Sequence, residues 1–147
     1  MIRRIIYLII AGIVAFIADQ YTKNIILDGY RYYSECIDLI LVYNKGVAFS
    51  MFAFLDEYLK WLQLLLLAGA LFYALYQSQR CYDIPAGILI GAGVSNVYDR
   101  FIHGGVVDML YWHCGFDFAV FNLADVLIDI AVVWILFLSI KPRFCKA

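Results

Sequence analysis

Four stretches of this chain are each about as long and as apolar as a membrane-spanning helix, and they leave little else to fold. A spanning helix needs roughly 20 mostly apolar residues. Residues 5–27, 59–76, 84–100 and 121–140 answer to that description in a chain of only 147, the third carrying polar residues at its far end. Composition argues the same way: 65% of the residues are hydrophobic and 16% charged, against roughly 45–50% and about 25% in soluble domains. A soluble fold of this size has too much surface per volume to hide so many apolar side chains. Disorder, a secreted disulfide scaffold and an ordinary soluble enzyme are excluded. A net charge of −1 without basic runs argues against nucleic acid as a partner.

Lysine and arginine set the orientation. The start, Met1-Ile2-Arg3-Arg4 and an apolar run, has the look of a secretory signal, but it continues to Asp19-Gln20-Tyr21-Thr22-Lys23 without a small-residue cleavage site. A retained first helix is therefore expected. Arg3, Arg4, Arg80, Lys141, Arg143 and Lys146 then share one side, which should be the cytoplasm. Connections 28–58 and 101–120 face the other side and carry Asp28, Glu35, Asp38, Asp56, Glu57, Asp108 and Asp117. The expected fold is a membrane all-α bundle of four transmembrane helices, one domain over residues 1–147, with both termini cytoplasmic. A small β element is expected outside the membrane, from the β-rich stretch Cys36 to Tyr43. Cys36, Cys81, Cys114 and Cys145 are widely spaced without C-x-x-C. They read as free thiols, with a Cys36–Cys114 bridge open only if both lie on the oxidising side.

Ionisable groups inside a span are expensive, yet Asp19, Lys23, Asp99, Arg100, Asp125 and Asp129 all fall there. At 1.5 Å per residue, Asp19, Asp99 and Asp125 each lie roughly 22–24 Å from the cytoplasmic edge of their helices. Three helices thus bring a carboxylate to one level near the outer interface of a core about 30 Å thick. Asn96, Asp99 and Arg100 share a face of the third span, below which Gly87, Gly91 and Ser95 form a small-residue stripe suited to close helix approach. Asp19 with Lys23 reads as an i,i+4 ion pair or an interfacial snorkel, and Asp99 with Arg100 as a pair ordering the helix end. Asn122, Asp125 and Asp129 share a face of the fourth span, Asp129 as a deeper, hydrogen-bonded structural group. His103 and His113 lack metal-ligand spacing, so no metal is expected.

Asp19-Gln20-x-Thr22-Lys23, Asn44-x-Gly46-Val47-Ala48-Phe49, Asn96-x-x-Asp99-Arg100, Gly105-Val106-Val107-Asp108 and Phe121-Asn122-x-Ala124-Asp125 resemble the motif series of the lipoprotein signal peptidases (signal peptidase II). The motifs occur in the family's order over nearly the whole chain. The resemblance implies an aspartic endopeptidase of the bacterial inner membrane, inhibited by globomycin. It would remove the signal peptide from diacylglyceryl-modified prolipoproteins by cutting just before the lipidated Cys. It implies Asp108 and Asp125 as the catalytic dyad. Asp19, Lys23, Asn44, Gly46, Asn96, Asp99, Arg100, Gly105, Asn122 and Ala124 would build the pocket, residues 28–42 an outer cradle and residues 101–120 a mobile loop. Ser95 departs from the family's usual Gly before the Asn of the third motif, and Asp129 matches no motif.

Two carboxylates sharing a proton can hydrolyse an amide, the ionised one activating water and the protonated one polarising the carbonyl. Near the membrane surface both water and a lipid-anchored substrate are at hand. Gly104-Gly105 would let the chain turn so that Asp108, in a loop, meets Asp125. Aromatic outer segments, Tyr30, Tyr32, Tyr33, Phe49, Phe52, Phe54, Tyr111 and Trp112, suit an interfacial belt. No cofactor is expected; the partners are lipidated prolipoproteins and membrane lipids, with the enzyme a monomer. The rival readings are a small proton- or ion-coupled transporter, against which stand the off-centre acids and the lack of a repeat, and a non-catalytic assembly factor.

Overall fold

Unbroken apolar runs make the long helices, and local chemistry ends them. The computed structural model describes residues 2–46, 57–77 and 79–145; the motif residues Val47, Ala48 and Phe49, with Phe52, Phe54 and Asp56, lie outside them. The helices are α1 (Ile2–Leu27), α2 (Glu57–Tyr76), α3 (Asp83–His103) and α4 (Leu123–Ile140). Single 3-10 turns at Arg80–Tyr82 and Pro142–Cys145 flank α3 and α4. Pro85 is tolerated in the first turn of α3, where its missing N–H has no helical acceptor. Gly104, at φ +70°, ends α3 in the left-handed conformation that a Cβ would oppose.

The fold centres on α3, against which α1, α2 and α4 pack. Its stripe of small residues sets the closest approach: a Cβ on Gly87 would run into the Leu8 carbonyl of α1, and one on Gly91 into Gly12. α1 runs parallel to α3, meeting it at Leu8–Gly87 and again at Lys23–Asp99, whereas α2 and α4 run antiparallel to α3. At one end Arg4 of α1 grips both oxygens of Asp83 (2.8–3.1 Å) and reaches the Ala74 carbonyl of α2, while the Tyr82 hydroxyl lies 3.4 Å from Ser139 of α4. That end also carries a Cys81–Cys145 disulfide, and the opposite end a Cys36–Cys114 disulfide. Cys36–Cys114 is the bridge the sequence left open, and the Cys81–Cys145 bond corrects the free-thiol expectation for the other two in this structure. Spacing along the chain could not reveal it, because each pair is closed by tertiary structure across 78 or 64 residues.

Outside the helices, β1 (Ile37–Asn44) pairs antiparallel with β2 (Val106–Trp112), with an irregularity between Leu39 and Val42. The expected β-rich stretch is thus a strand. The expected loop 101–120 is corrected: α3 extends to His103 and residues 106–112 are strand. Phe121 bridges to Leu110 and so ties the start of α4 to the sheet.

Burial is inverted relative to a water-soluble protein. Ile10, Ile13, Val14, Ile17, Leu65, Leu66, Phe72, Val133 and Leu136 are exposed, while Asp19, Lys23, Ser95, Asp99, Asp108 and Asn122 are buried. A continuous apolar exterior of this kind is incompatible with water. By length and composition α2, from Tyr58, and α4 can each cross a membrane.

Candidate active site

The centre of the polar interior is Lys23, on the last turns of α1. All three of its ammonium protons have a partner: Asp19 Oδ2 at 2.6 Å, Asp99 Oδ2 at 2.7 Å and Asn96 Oδ1 at 2.9 Å. Two carboxylates around one cation leave excess negative charge, which neutral donors disperse. Asp19 also accepts from Ser95 Oγ (2.7 Å) and from the Ala124 backbone N–H (2.8 Å). Asp99 accepts from Gln20 Nε2 (2.8 Å) and from the Val107 backbone N–H (3.0 Å). Lys23 and Asp19 therefore form a buried pair, not an interfacial snorkel.

Arg100 does not pair with Asp99. Its guanidinium donates to the Lys45 and Gly46 carbonyls, pinning the chain that follows β1. Adjacent residues on a helix point about 100° apart, so Asp99 faces α1 and Arg100 faces the sheet. Gly46 is held from its other side by Asn44 Oδ1 (2.9 Å). Gly105 passes so close to Asn44 that a Cβ would lie 3.2 Å from its carbonyl oxygen.

Above this base sit Asp108 and Asp125. Asp108 is in β2, not in a loop; Asn44 Nδ2 donates to its Oδ2 (2.9 Å) and Asn122 Nδ2 to its Oδ1 (2.7 Å). Asp125 closes a capping box at the start of α4: Asn122 Oδ1 accepts from its N–H (2.9 Å), and its Oδ2 accepts from the Asn122 N–H (3.1 Å). Asn96 Nδ2 donates to Asp125 Oδ1 (2.9 Å), and Asn96 Oδ1 accepts from Asn122 Nδ2 (3.1 Å). One asparagine, Asn122, thus touches both acids. Burial pushes the Asp108 carboxyl up to about 6, and Asp125 adds to the rise; the Asn44 and Asn122 amides and the Lys23 charge oppose it.

Both carboxylates line one cavity of about 460 Å³ with Asn44, Gly46, Asn96 and Arg100. Asp129 lines it too, but is exposed and makes no hydrogen bond or ion pair among the described residues, which corrects its reading as a structural hydrogen-bonding group. Every expected pocket residue but Gly105, which abuts the Asn44 backbone, lies in this cavity or in the network beneath it. Sequence reasoning missed Ser95 as a donor to Asp19, and Gln63 of α2, which also lines the cavity. The signal for Gln63 was there: it is the sole carboxamide in an otherwise largely apolar helix. His103 makes a tilted ring contact with Tyr43 and His113 Nε2 lies 3.2 Å from Asp38 Oδ1, both away from the cavity.

An apolar exterior of helices around a buried ionic centre defines a membrane-embedded protein. Its fold matches two solved chains, each described as a bacterial membrane enzyme: one at TM-score 0.81 and 22% identity, covering 95% of this chain and 91% of the other, one at 0.78 and 22%, covering 91% and 92%. The model of the signal peptidase II family matches residues 10–141. Lipoprotein signal peptidase of Sulfurimonas denitrificans is 70% identical, over 97% of this chain and 92% of that protein. The proteins of the same name from a Sulfurovum species and from Wolinella succinogenes are 58% identical (89% and 90% covered) and 52% identical (82% and 84%). The chain belongs to the signal peptidase II family. The transporter reading has no support.

Proposed function

We propose that this chain is an aspartic endopeptidase in which Asp108 and Asp125 together cut the peptide bond before the lipidated Cys of a prolipoprotein. Membership of the family makes it a peptidase that removes signal peptides from prolipoproteins. The single observation that carries the aspartic reading is the cavity shared by two carboxylates and joined through Asn122. A water between them would lose a proton to the ionised carboxylate and add to the scissile carbonyl carbon. The protonated partner would donate to the carbonyl oxygen. On collapse of the tetrahedral intermediate the C–N bond breaks and a carboxyl proton passes to the leaving nitrogen of the Cys. Asn44, Asn96 and Asn122 hold both acids in fixed orientation, which lowers the entropy cost of aligning them.

In this reading the four helices span the bacterial inner membrane as one domain, with both termini cytoplasmic and the sheet and cavity on the extracytoplasmic side. The arginines and lysines at the Cys81–Cys145 end support that orientation. The enzyme acts as a monomer among membrane lipids and needs no cofactor. The test is cleavage of a diacylglyceryl-modified prolipoprotein by purified protein in lipid. Asp108→Asn and Asp125→Asn are each expected to lower kcat at least about 10³-fold with thermal unfolding still cooperative. Near-wild-type turnover by either folded variant would remove that residue from the dyad.

A further inference from the structure

Gln63 sits in the second turn of α2, and its Oε1 is buried without a hydrogen-bond partner among the described residues. A buried polar atom left without a hydrogen-bond partner is kept only at a cost. Its side chain lines the same cavity as Asp108 and Asp125. Arg100 lines that cavity too: both of its terminal nitrogens are bound to carbonyls, but Nε is buried with no hydrogen-bond partner among the described residues. The cavity lining thus holds one acceptor and one donor, each without a partner among the described residues. A peptide unit carries the complementary pair, one N–H and one C=O.

Cleavage requires an extended segment at the scissile bond, since a helical one would keep its carbonyls bonded and its backbone closed to attack. Extension strips that segment of its internal hydrogen bonds, which the site must replace. We propose that Gln63 is a substrate-positioning residue: its Oε1 accepts a hydrogen bond from one backbone N–H of the signal peptide's cleavage segment, while Arg100 Nε donates to a carbonyl of the same segment. The side-chain amide reaches the cavity by rotation about χ3, a soft torsion with broad minima. Because both partners are main-chain groups, the contact reads the strand and not the residue type. It holds substrates of different sequence in one register over the two acids. The proposal rests on the peptidase reading of the cavity.

The experiment crosses Gln63 variants with backbone-methylated substrates. A lipidated peptide substrate is made with a single N-methyl group at each of the residues preceding the Cys in turn. kcat and KM are measured in lipid for wild type, Gln63→Leu and Gln63→Glu. Cleavage of the unmethylated peptide by wild type upholds the peptidase reading by itself, so only the cross decides the role of Gln63. Gln63→Leu is expected to raise KM about tenfold with kcat within about twofold, and Gln63→Glu, which keeps an acceptor oxygen, to stay within about threefold of wild type. Methylation at one position should cost wild type about tenfold and Gln63→Leu nothing further, the non-additivity that marks a direct contact. The proposal is overturned if every methyl group costs both enzymes equally, if Gln63→Leu keeps the wild-type KM, or if its loss falls on kcat together with a lowered thermal midpoint.

Discussion

Lys23 ties α1 to α3 through one ammonium group, and its partner Asp19 extends the tie to α4. Its partners Asp19, Asn96 and Asp99 come from α1 and α3, and Asp19 in turn holds the Ala124 N–H of α4. Removing the cation while both acids stay buried is costly, about 3–5 kcal/mol. Lys23→Met should therefore lower the thermal midpoint by roughly 10 °C, read by a scanning unfolding assay in detergent, and a shift under about 3 °C would show that the acids are neutralised in another way. Asp108 makes a second prediction, with opposite signs for activity and stability. Its carboxyl is raised from 3.8 to about 6; with Asp108 as the member of the dyad that takes the proton from water, kcat/KM should fall as pH drops through about 6. Folding prefers the protonated form, so stability should fall as pH rises from about 4 to about 6, by about 3 kcal/mol at 1.36 kcal/mol per tenfold change in acidity. The pH profile of cleavage and the pH profile of the Asp108→Asn minus wild-type midpoint check the two arms. An acid limb centred below about 4.5 would contradict the first. At this scale the depth arithmetic from the sequence brought Asp19, Asp99 and Asp125 to one level, and they do share one network. What it could not supply was pairing: Arg100 stands next to Asp99 in sequence and points elsewhere, because a helix turns between neighbours.

Among the elements, the contact between α1 and α3 decides whether that network forms at all. Asp19 and Lys23 reach Asn96 and Asp99 because Gly87 and Gly91 let the backbones approach. Gly91→Val has no room against the Gly12 carbonyl and must push α1 outward. It is expected to lower activity at least about tenfold, because a displacement of 1 Å near catalytic groups is worth about 100-fold. Gly69→Val, with no atom near a Cβ, should be close to neutral. Equal activity of the two variants in the cleavage assay would refute the packing argument. The small-residue stripe was legible in the sequence because its i, i+4 spacing has a single geometric meaning. The second strand was carried in Val106-Val107-Asp108-Met109-Leu110-Tyr111-Trp112, rich in β-branched and aromatic residues. Likeness to a mobile loop outweighed that propensity. The hidden constraint is tertiary: β2 is held by β1 on one side and by Phe121 on the other. Those partners lie far off in the chain, and Asp108 meets Asn44 only because the register sets Asn44 opposite Val106.

The whole molecule is organised along one axis, and its cysteines report it. One end gathers Arg4, Asp83 and the Cys81–Cys145 pair; the other gathers the sheet and the Cys36–Cys114 pair. If the basic end faces the cytoplasm, the two pairs sit in compartments of opposite redox character. Disulfides persist on the oxidising side and are kept reduced by cytosolic thiols. The two bridges should then behave differently in living cells although each pair lies within bonding distance. Cys81 and Cys145 are expected to react in intact cells with a membrane-permeant maleimide and to stay silent to an impermeant one. Cys36 and Cys114 should react with neither until an added reductant opens the bridge, and then with the impermeant reagent as well. Mass spectrometry of the labelled chain, with Cys81→Ser/Cys145→Ser and Cys36→Ser/Cys114→Ser as paired controls, reads all four positions. Labelling of Cys81 by the impermeant reagent would invert the proposed topology and carry the cavity to the cytoplasmic face, where a prolipoprotein already moved across the membrane could not present its cleavage segment.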